Sequence, residues 1–139
     1  MHRVLVLPIL LAASSCSRSQ PLPITGLDRV TRVEARERGT ESQHVIDEPL
    51  RVARVVAALQ TLASGWEKPS FTPLPVGNAS AVFYRDTSFV GVIWLGSNFV
   101  SARGQGDGLV RHTSPTELET LAIVLEIPMT GIASPPRAH

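Results

Sequence analysis

The sequence predicts an α+β domain with a small antiparallel sheet of four to five strands and two helices packed on one face. Two segments carry apolar residues at helical spacing, and short runs of β-branched and aromatic residues lie between them. The resulting order of strand, helix, several strands and helix is typical of the α+β class.

The first elements are a strand over residues 30–36 and a helix that begins after Asp47. Apolar and charged residues alternate along the strand, so one of its sides is charged. We expect Asp47 to cap the helix, Pro49 to fit its first turn and Gly65 to mark its end. The apolar stripe of the helix consists of Val52, Val55, Val56, Leu59, Leu62 and Trp66.

The middle of the chain predicts a hairpin. Two apolar, β-prone runs, 81–85 and 89–95, are separated by three turn-forming residues. The segment 98–103 resumes the strand pattern, and the glycine-rich turn 104–108 leads into 109–112. These segments account for most of the predicted sheet.

The second helix has a complete N-terminal signature. Ser114 is the predicted cap, Pro115 suits the first helical position, and Glu117 completes a capping box. Pro128 ends the helix, and we expect residues 129–139 to form a disordered tail. The apolar stripe consists of Leu118, Leu121, Ala122 and Leu125.

The strand at 89–95 is apolar on both of its alternating faces. One face is predicted to carry Phe89, Ile93 and Leu95, and the other Val90, Val92 and Trp94. A strand that is apolar on both sides needs cover on both sides, whereas two helices cover only one face of the sheet. The second face is therefore covered by the proline-rich connection 67–78, with Phe71 and Leu74, or by a partner.

If a partner covers the second face, the predicted interaction surface comprises Tyr84, Val92 and Trp94. Tyrosine and tryptophan are enriched among the residues that dominate binding energy at protein interfaces. The two alternatives make opposite predictions about how exposed these side chains are.

The N-terminus has the three-part layout of a secretory signal peptide. Arg3 is followed by an apolar run over residues 4–13 and then by small residues. The run is shorter than the roughly 20 apolar residues that span a bilayer. Cys16, the single cysteine, comes directly after it.

Residues 1–17 resemble the signal peptide and lipobox of bacterial lipoproteins. The resemblance implies that residues 1–15 are removed, that Cys16 carries the lipid and that 16–27 is a lipidated tether. Residues 17–26 of this tether contain two prolines and span about 30 Å at about 3 Å per residue. A single domain then covers 28–128. In many lipoproteins of Gram-negative bacteria, an Asp directly after the cysteine retains the protein at the inner membrane. The resemblance therefore implies that this chain, which has Ser17 there, lies at the outer membrane and faces the periplasm.

The balance of charge bounds the function. The chain has 13 basic and 12 acidic residues, so net charge predicts no nucleic-acid partner and no electrostatic affinity for lipid headgroups. No nucleophile elbow and no metal-ligand spacing is present, which predicts neither a cofactor nor a metal. We expect a non-enzymatic module that binds an envelope protein or serves in assembly.

Two other functions stay open from the sequence. A periplasmic inhibitor or small-ligand binder needs a pocket between helix and sheet, or a projecting loop such as 104–108. A minor hydrolase needs Asp107 and His112 to converge on Ser101 or Ser114.

Overall fold

The computed structural model describes residues 19–39, 43–70, 74–129 and 132. Within them the chain forms one antiparallel sheet of six strands in the order β2-β1-β3-β4-β5-β6, with two helices. The elements in chain order are a 3-10 turn at Leu27–Arg29, β1 (Arg32–Glu37), β2 (Gln43–Ile46), α1 (Pro49–Gln60), β3 (Ala79–Arg85), β4 (Ser88–Leu95), β5 (Phe99–Arg103), β6 (Leu109–His112) and α2 (Pro115–Leu125).

The predicted α+β class is confirmed, but the sheet has six strands rather than four to five. The missed strand is β2, which ends shortly before Glu48, the cap of α1. Its four residues are too few to show a clear alternation, although His44 and Ile46 do face the core. Only its pairing with β1 reveals β2 as a strand.

Both helices pack on one face of the sheet, as predicted, and bury the core between the two layers. Every member of the predicted α1 stripe is buried. Trp66 is fully buried, and its Nε1 donates a hydrogen bond to the carbonyl of Leu62 at 2.5 Å. The core face of the sheet contributes Val33, Ala35, Ile46, Ala79, Ala81, Phe83, Ile93, Leu95, Val100 and Ala102.

α1 begins one residue later than predicted. Glu48 rather than Asp47 is its N-cap, and the two carboxylate oxygens of Glu48 accept hydrogen bonds from the N–H groups of Leu50 and Arg51. The longer side chain reaches back over the first turn, which residue preferences for capping positions do not anticipate. α1 also ends at Gln60, ahead of the expected stop.

The capping box of α2 is present as predicted. The Ser114 Oγ accepts from the N–H of Glu117 at 3.2 Å, and the Glu117 carboxylate accepts from the N–H of Ser114 at 3.0 Å. Arg111 Nη1 lies 3.0 Å from the same carboxylate. The hydrogen bond from Arg111, followed by the one from the Ser114 N–H, holds the pKa of Glu117 below its usual value.

Residues 19–27, predicted to belong to a free tether, instead pack against the domain. Gln20 forms a β-bridge with Trp66, in which the Gln20 N–H donates to the Trp66 carbonyl at 2.7 Å. Ile24 and Leu27 are each 5% exposed and belong to the core. The domain therefore starts by residue 19 rather than at 28, because these apolar side chains complete its core. The predicted signal peptide and Cys16 lie outside the described residues.

The other end of the domain also extends further than predicted. Met129 packs against the core, and Ile132 is fully buried, although both fall in the segment predicted to be a disordered tail. The Asn78 Nδ2 donates to the Ile132 carbonyl at 3.1 Å. The remainder of the predicted tail lies outside the described residues.

Candidate interaction surface

The face of the sheet opposite the helices, called here the outer face, is built from residues one position away from those of the core. Residues that pair directly across antiparallel strands share a face, so the register identifies its members. They include Arg32, Glu34, Arg36, Val45, Ser80, Val82, Tyr84, Val92, Trp94, Ser101 and Arg103.

The proline-rich connection covers the β5 side of the outer face. Ser101 is fully buried, and its Oγ donates a hydrogen bond to the Pro75 carbonyl at 2.8 Å. Leu74 lies against Gly108, where an added Cβ would be 2.5 Å from the leucine side chain. The described part of the connection thus provides the cover that was one of the two predicted alternatives, while Phe71 lies outside the described residues.

The predicted surface residues lie on the other part of the outer face. Tyr84 and Trp94 are half-buried, as is Val82 between them. Val92 is 7% exposed, yet it does not belong to the core cluster. The structure therefore brings Tyr84, Val92 and Trp94 onto one face, with the two aromatic side chains accessible and Val92 buried beneath the surface.

A β-bulge changes the predicted arrangement at one end of β4. The register shifts between Phe83 and Tyr84, so that Tyr84 pairs with Phe89 and Phe83 pairs with Gly91. Phe89 therefore lies on the outer face, 39% exposed, and Val90 packs against the core. The predicted faces of these two residues were wrong, because one extra residue in a strand exchanges the faces beyond it.

Two open grooves adjoin on the outer face. The larger, of about 390 Å³, is lined by Arg36, Glu37, Arg38, Gly39, Val76, Gly77, Ala79, Ser80 and Trp94. The smaller, of about 230 Å³, extends to Tyr84. The shared walls of the two grooves are Arg36 and Ser80.

Basic residues concentrate beside these grooves. The described residues contain ten Arg and Lys and eleven Asp and Glu. Arg32, Arg36 and Arg38 line the grooves or flank them on the β1 side, and Arg103 lies on β5. Two acidic residues also line the grooves: Glu34 belongs to the outer face, whereas the pairing of Glu37 with Ala79 places its side chain on the core side. The balanced charge of the whole chain therefore conceals a basic outer face and an acidic remainder, a separation that sequence order alone does not show.

Arg32 and Arg36 have partners on the outer face itself. The guanidinium of Arg32 lies 4.7 Å from the centre of the Tyr84 ring, and its Nε is 3.5 Å from the Glu34 carboxylate. Arg36 Nη2 donates to the Gln43 Oε1 at 2.7 Å. Among the described residues, Arg38 and Arg103 make no ion pair or side-chain hydrogen bond.

A separate groove of about 470 Å³ lies between α1 and the segment 27–31. Its floor is apolar, and acidic and amide side chains stand at its rim. Such a concave, mostly apolar site with a few polar groups suits a small molecule. The lining residues are Leu27, Asp28, Val30, Thr31, Asp47, Pro49, Val52, Ala53, Val56, Ala57 and Gln60.

The hydroxyl groups considered for hydrolysis have structural hydrogen bonds. Ser101 donates to Pro75 beneath the connection, and Ser114 caps α2. His112 and Asp107 are exposed. In the described ranges, no three His, Cys, Asp or Glu side chains are grouped as metal ligands.

None of the helices in the described part of the chain has both the length and the apolar character needed to cross a membrane. Comparison with known proteins adds no relative: no family model, no curated protein and no solved structure gives a significant match. The geometry of the outer face and of the α1 groove is therefore the basis for a functional proposal.

Proposed function

We propose that this chain is a lipid-anchored module of the bacterial cell envelope that binds a partner protein through the outer face of β1, β3 and β4. The observation that carries the binding role is the accessible aromatic surface of Tyr84, Phe89 and Trp94, on the face against which neither of the two described helices packs. Half-buried Val82 lies between Tyr84 and Trp94 on this face. Accessible patches of aromatic and aliphatic residues are typical of interaction sites. The module acts without catalysis.

The anchor rests on the resemblance of residues 1–17 to lipoprotein signal sequences. Because Gln20 already pairs with Trp66, only three residues lie between Cys16 and this first paired residue, a segment of four Cα-to-Cα steps. At most about 3.5 Å per residue, this segment reaches about 14 Å, rather than the 30 Å of the predicted tether. An acylated Cys16 therefore holds the domain directly beside the headgroups of an outer membrane, facing the periplasm.

The anchor is tested by the mass of the N-terminal peptide of protein purified from its native host. We expect a peptide that begins at Cys16 and carries acyl chains, in protein that requires detergent for extraction. Cys16→Ser is the matched control and should leave an unacylated chain that retains Met1. Wild-type protein that is unacylated and soluble without detergent would contradict the anchor.

The binding role is tested by Trp94→Ala in a pull-down of cross-linked partner from envelope fractions. Leu50→Ala is the matched control, because Leu50 is 68% exposed on α1. We expect Trp94→Ala to lose the partner captured by wild type and by Leu50→Ala, with the urea midpoint of each variant measured alongside. Equal capture by both variants, or unfolding of the Trp94 variant, would remove the site assignment.

The α1 groove favours a second candidate function, the binding of a small apolar molecule in the periplasm. Its test is Ala57→Trp, which places a large side chain on the groove wall, where Ala57 is exposed. If the groove is the site, envelope-lipid extracts raise the melting temperature of wild type and not of Ala57→Trp. An equal shift in both proteins would dismiss this function.

A further inference from the structure

We propose that the segment recognised by the outer face is an acidic, extended polypeptide, whose carboxylates pair with Arg36 and Arg38 while neighbouring side chains contact Trp94. This inference deepens the proposed function and rests on it, because it specifies the chemistry of the partner. It follows from three features of the grooves: their charge, their shape and their distance from the sheet edge at which the N-terminal segment enters the domain.

The charge of the larger groove is complementary to a carboxylate. Arg36 and Arg38 both line it, and Ser80 adds a hydroxyl group. Glu37 also lines it, but the pairing of Glu37 with Ala79 places its side chain on the core side of β1. Arg38 makes no ion pair or side-chain hydrogen bond within the described residues, so its donors are available. The planar guanidinium group presents paired donors that match a carboxylate, which makes arginine the usual residue for this recognition.

The shape of the site fits a chain rather than a single small anion. The two grooves share Arg36 and Ser80 and together run from Trp94 to Tyr84. From Ser80 to Tyr84 the strand advances four residues, or about 13 Å at 3.3 Å per residue. An extended segment of similar length lies along this path with its acidic side chains at the arginines and its apolar side chains at the aromatic rings.

The position of the site favours a protein over lipid headgroups. The segment that follows Cys16 enters the domain at the β6 edge of the sheet. Glu67 forms a β-bridge with Val110 of β6, and the adjacent Trp66 forms one with Gln20. β1 is four strand spacings from β6, which is about 19 Å at about 4.8 Å per spacing. If the β6 edge faces the membrane, this distance exceeds the Debye length of about 8 Å at physiological salt, and the headgroups exert little force on the β1 arginines.

The test uses the full chain with Cys16→Ser and a fluorescent peptide in which Glu alternates with Ala. The comparison peptide has Gln in place of each Glu, and vesicles containing phosphatidylglycerol are the third probe. The test variant is Arg36→Glu with Arg38→Glu. The matched control is Arg54→Glu with Arg29→Glu, because both of these arginines are exposed outside the outer face.

We expect the acidic peptide to bind with higher affinity than the Gln peptide and to shift the Trp94 fluorescence. Reversal of the two groove charges should weaken binding about tenfold or more, whereas the control variant retains it. Higher affinity for the vesicles than for the acidic peptide would overturn the proposal, as would equal binding by the two variants. If Trp94→Ala still loses its envelope partner in that case, the proposed function stands and only the acidic partner is wrong.

Discussion

Neighbouring residues of β3 point to opposite faces of the sheet, and the environments of the two faces differ. Phe83 is fully buried beneath the helices, whereas the next residue, Tyr84, is half-buried on the outer face. Each residue is aromatic, so hydrophobicity alone does not distinguish them. The difference is cover: helices pack on one face, and the described connection reaches only the β5 side of the other.

This difference separates stability from function. Residues under the helices stabilise the fold through complete removal from water, which contributes roughly 1.5–3 kcal/mol for a large apolar side chain. Residues on the open part of the outer face contribute less to stability, because water still reaches them. Substitutions on the two faces should therefore have separable effects, and the following predictions measure that separation.

The largest expected effect is the contrast between Phe83→Ala and Tyr84→Ala. Phe83→Ala removes a fully buried ring and should lower the free energy of unfolding by about 3–5 kcal/mol. Tyr84→Ala removes a half-buried ring and its contact with Arg32, and should cost about 1–2 kcal/mol. Urea unfolding measures both, and equal losses would break the distinction between the faces.

An intermediate effect is expected where the connection approaches β4. An added Cβ at Gly77 would lie 1.9 Å from the Leu95 carbonyl oxygen, so Gly77→Ala forces the backbone to shift. We expect a loss of about 1–3 kcal/mol, with faster hydrogen exchange in β5 as its cover is displaced.

Gly106→Ala is the control for this prediction, because nothing lies within 4 Å of its added Cβ. We expect it to change the free energy of unfolding by less than about 0.5 kcal/mol. If Gly77→Ala were equally harmless, the close approach of the connection to β4 would be incorrect.

A smaller effect is expected at the start of α2, remote from the outer face. Ser114→Ala removes the cap and should cost about 1 kcal/mol, with partner binding unchanged. If Ser114→Ala lowered partner binding as well as stability, the assignment of binding to the outer face alone would be contradicted. Thermal and urea unfolding together with the pull-down provide this comparison.

The pH dependence of stability tests the Glu117 interaction directly. Because folding lowers the pKa of Glu117 below its usual 4.5, the carboxylate stabilises the fold above that pH. The contribution is lost as the pH falls through the lower, folded-state value. Glu117→Gln should remove this part of the acid dependence, whereas an unchanged profile would show that the pair with Arg111 is ineffective.

Local patterns in the sequence predicted the elements whose cause is local. The α1 stripe and the Ser114 capping box follow from residue spacing within one segment, and both are observed. The alternation of charge along β1 likewise identified its outer side. These features need no information from distant parts of the chain.

The errors arose where distant parts of the chain decide. β2 is visible only through its pairing with β1, and the bulge that moves Phe89 to the outer face depends on the register with β3. Burial of Ile24 and Ile132 required knowledge of which surfaces the termini meet. The basic grooves were also missed, because they combine Arg36 from one strand with Trp94 from another.

The most direct test of the central claim places a photo-cross-linking amino acid at Val82 in intact cells, with the same substitution at Arg54 as control. Val82 lies between Tyr84 and Trp94 on the outer face, and Arg54 is exposed on α1. The account predicts a discrete protein adduct from position 82 and none from 54. Equal adducts at both positions, or only lipid adducts at 82, would contradict it.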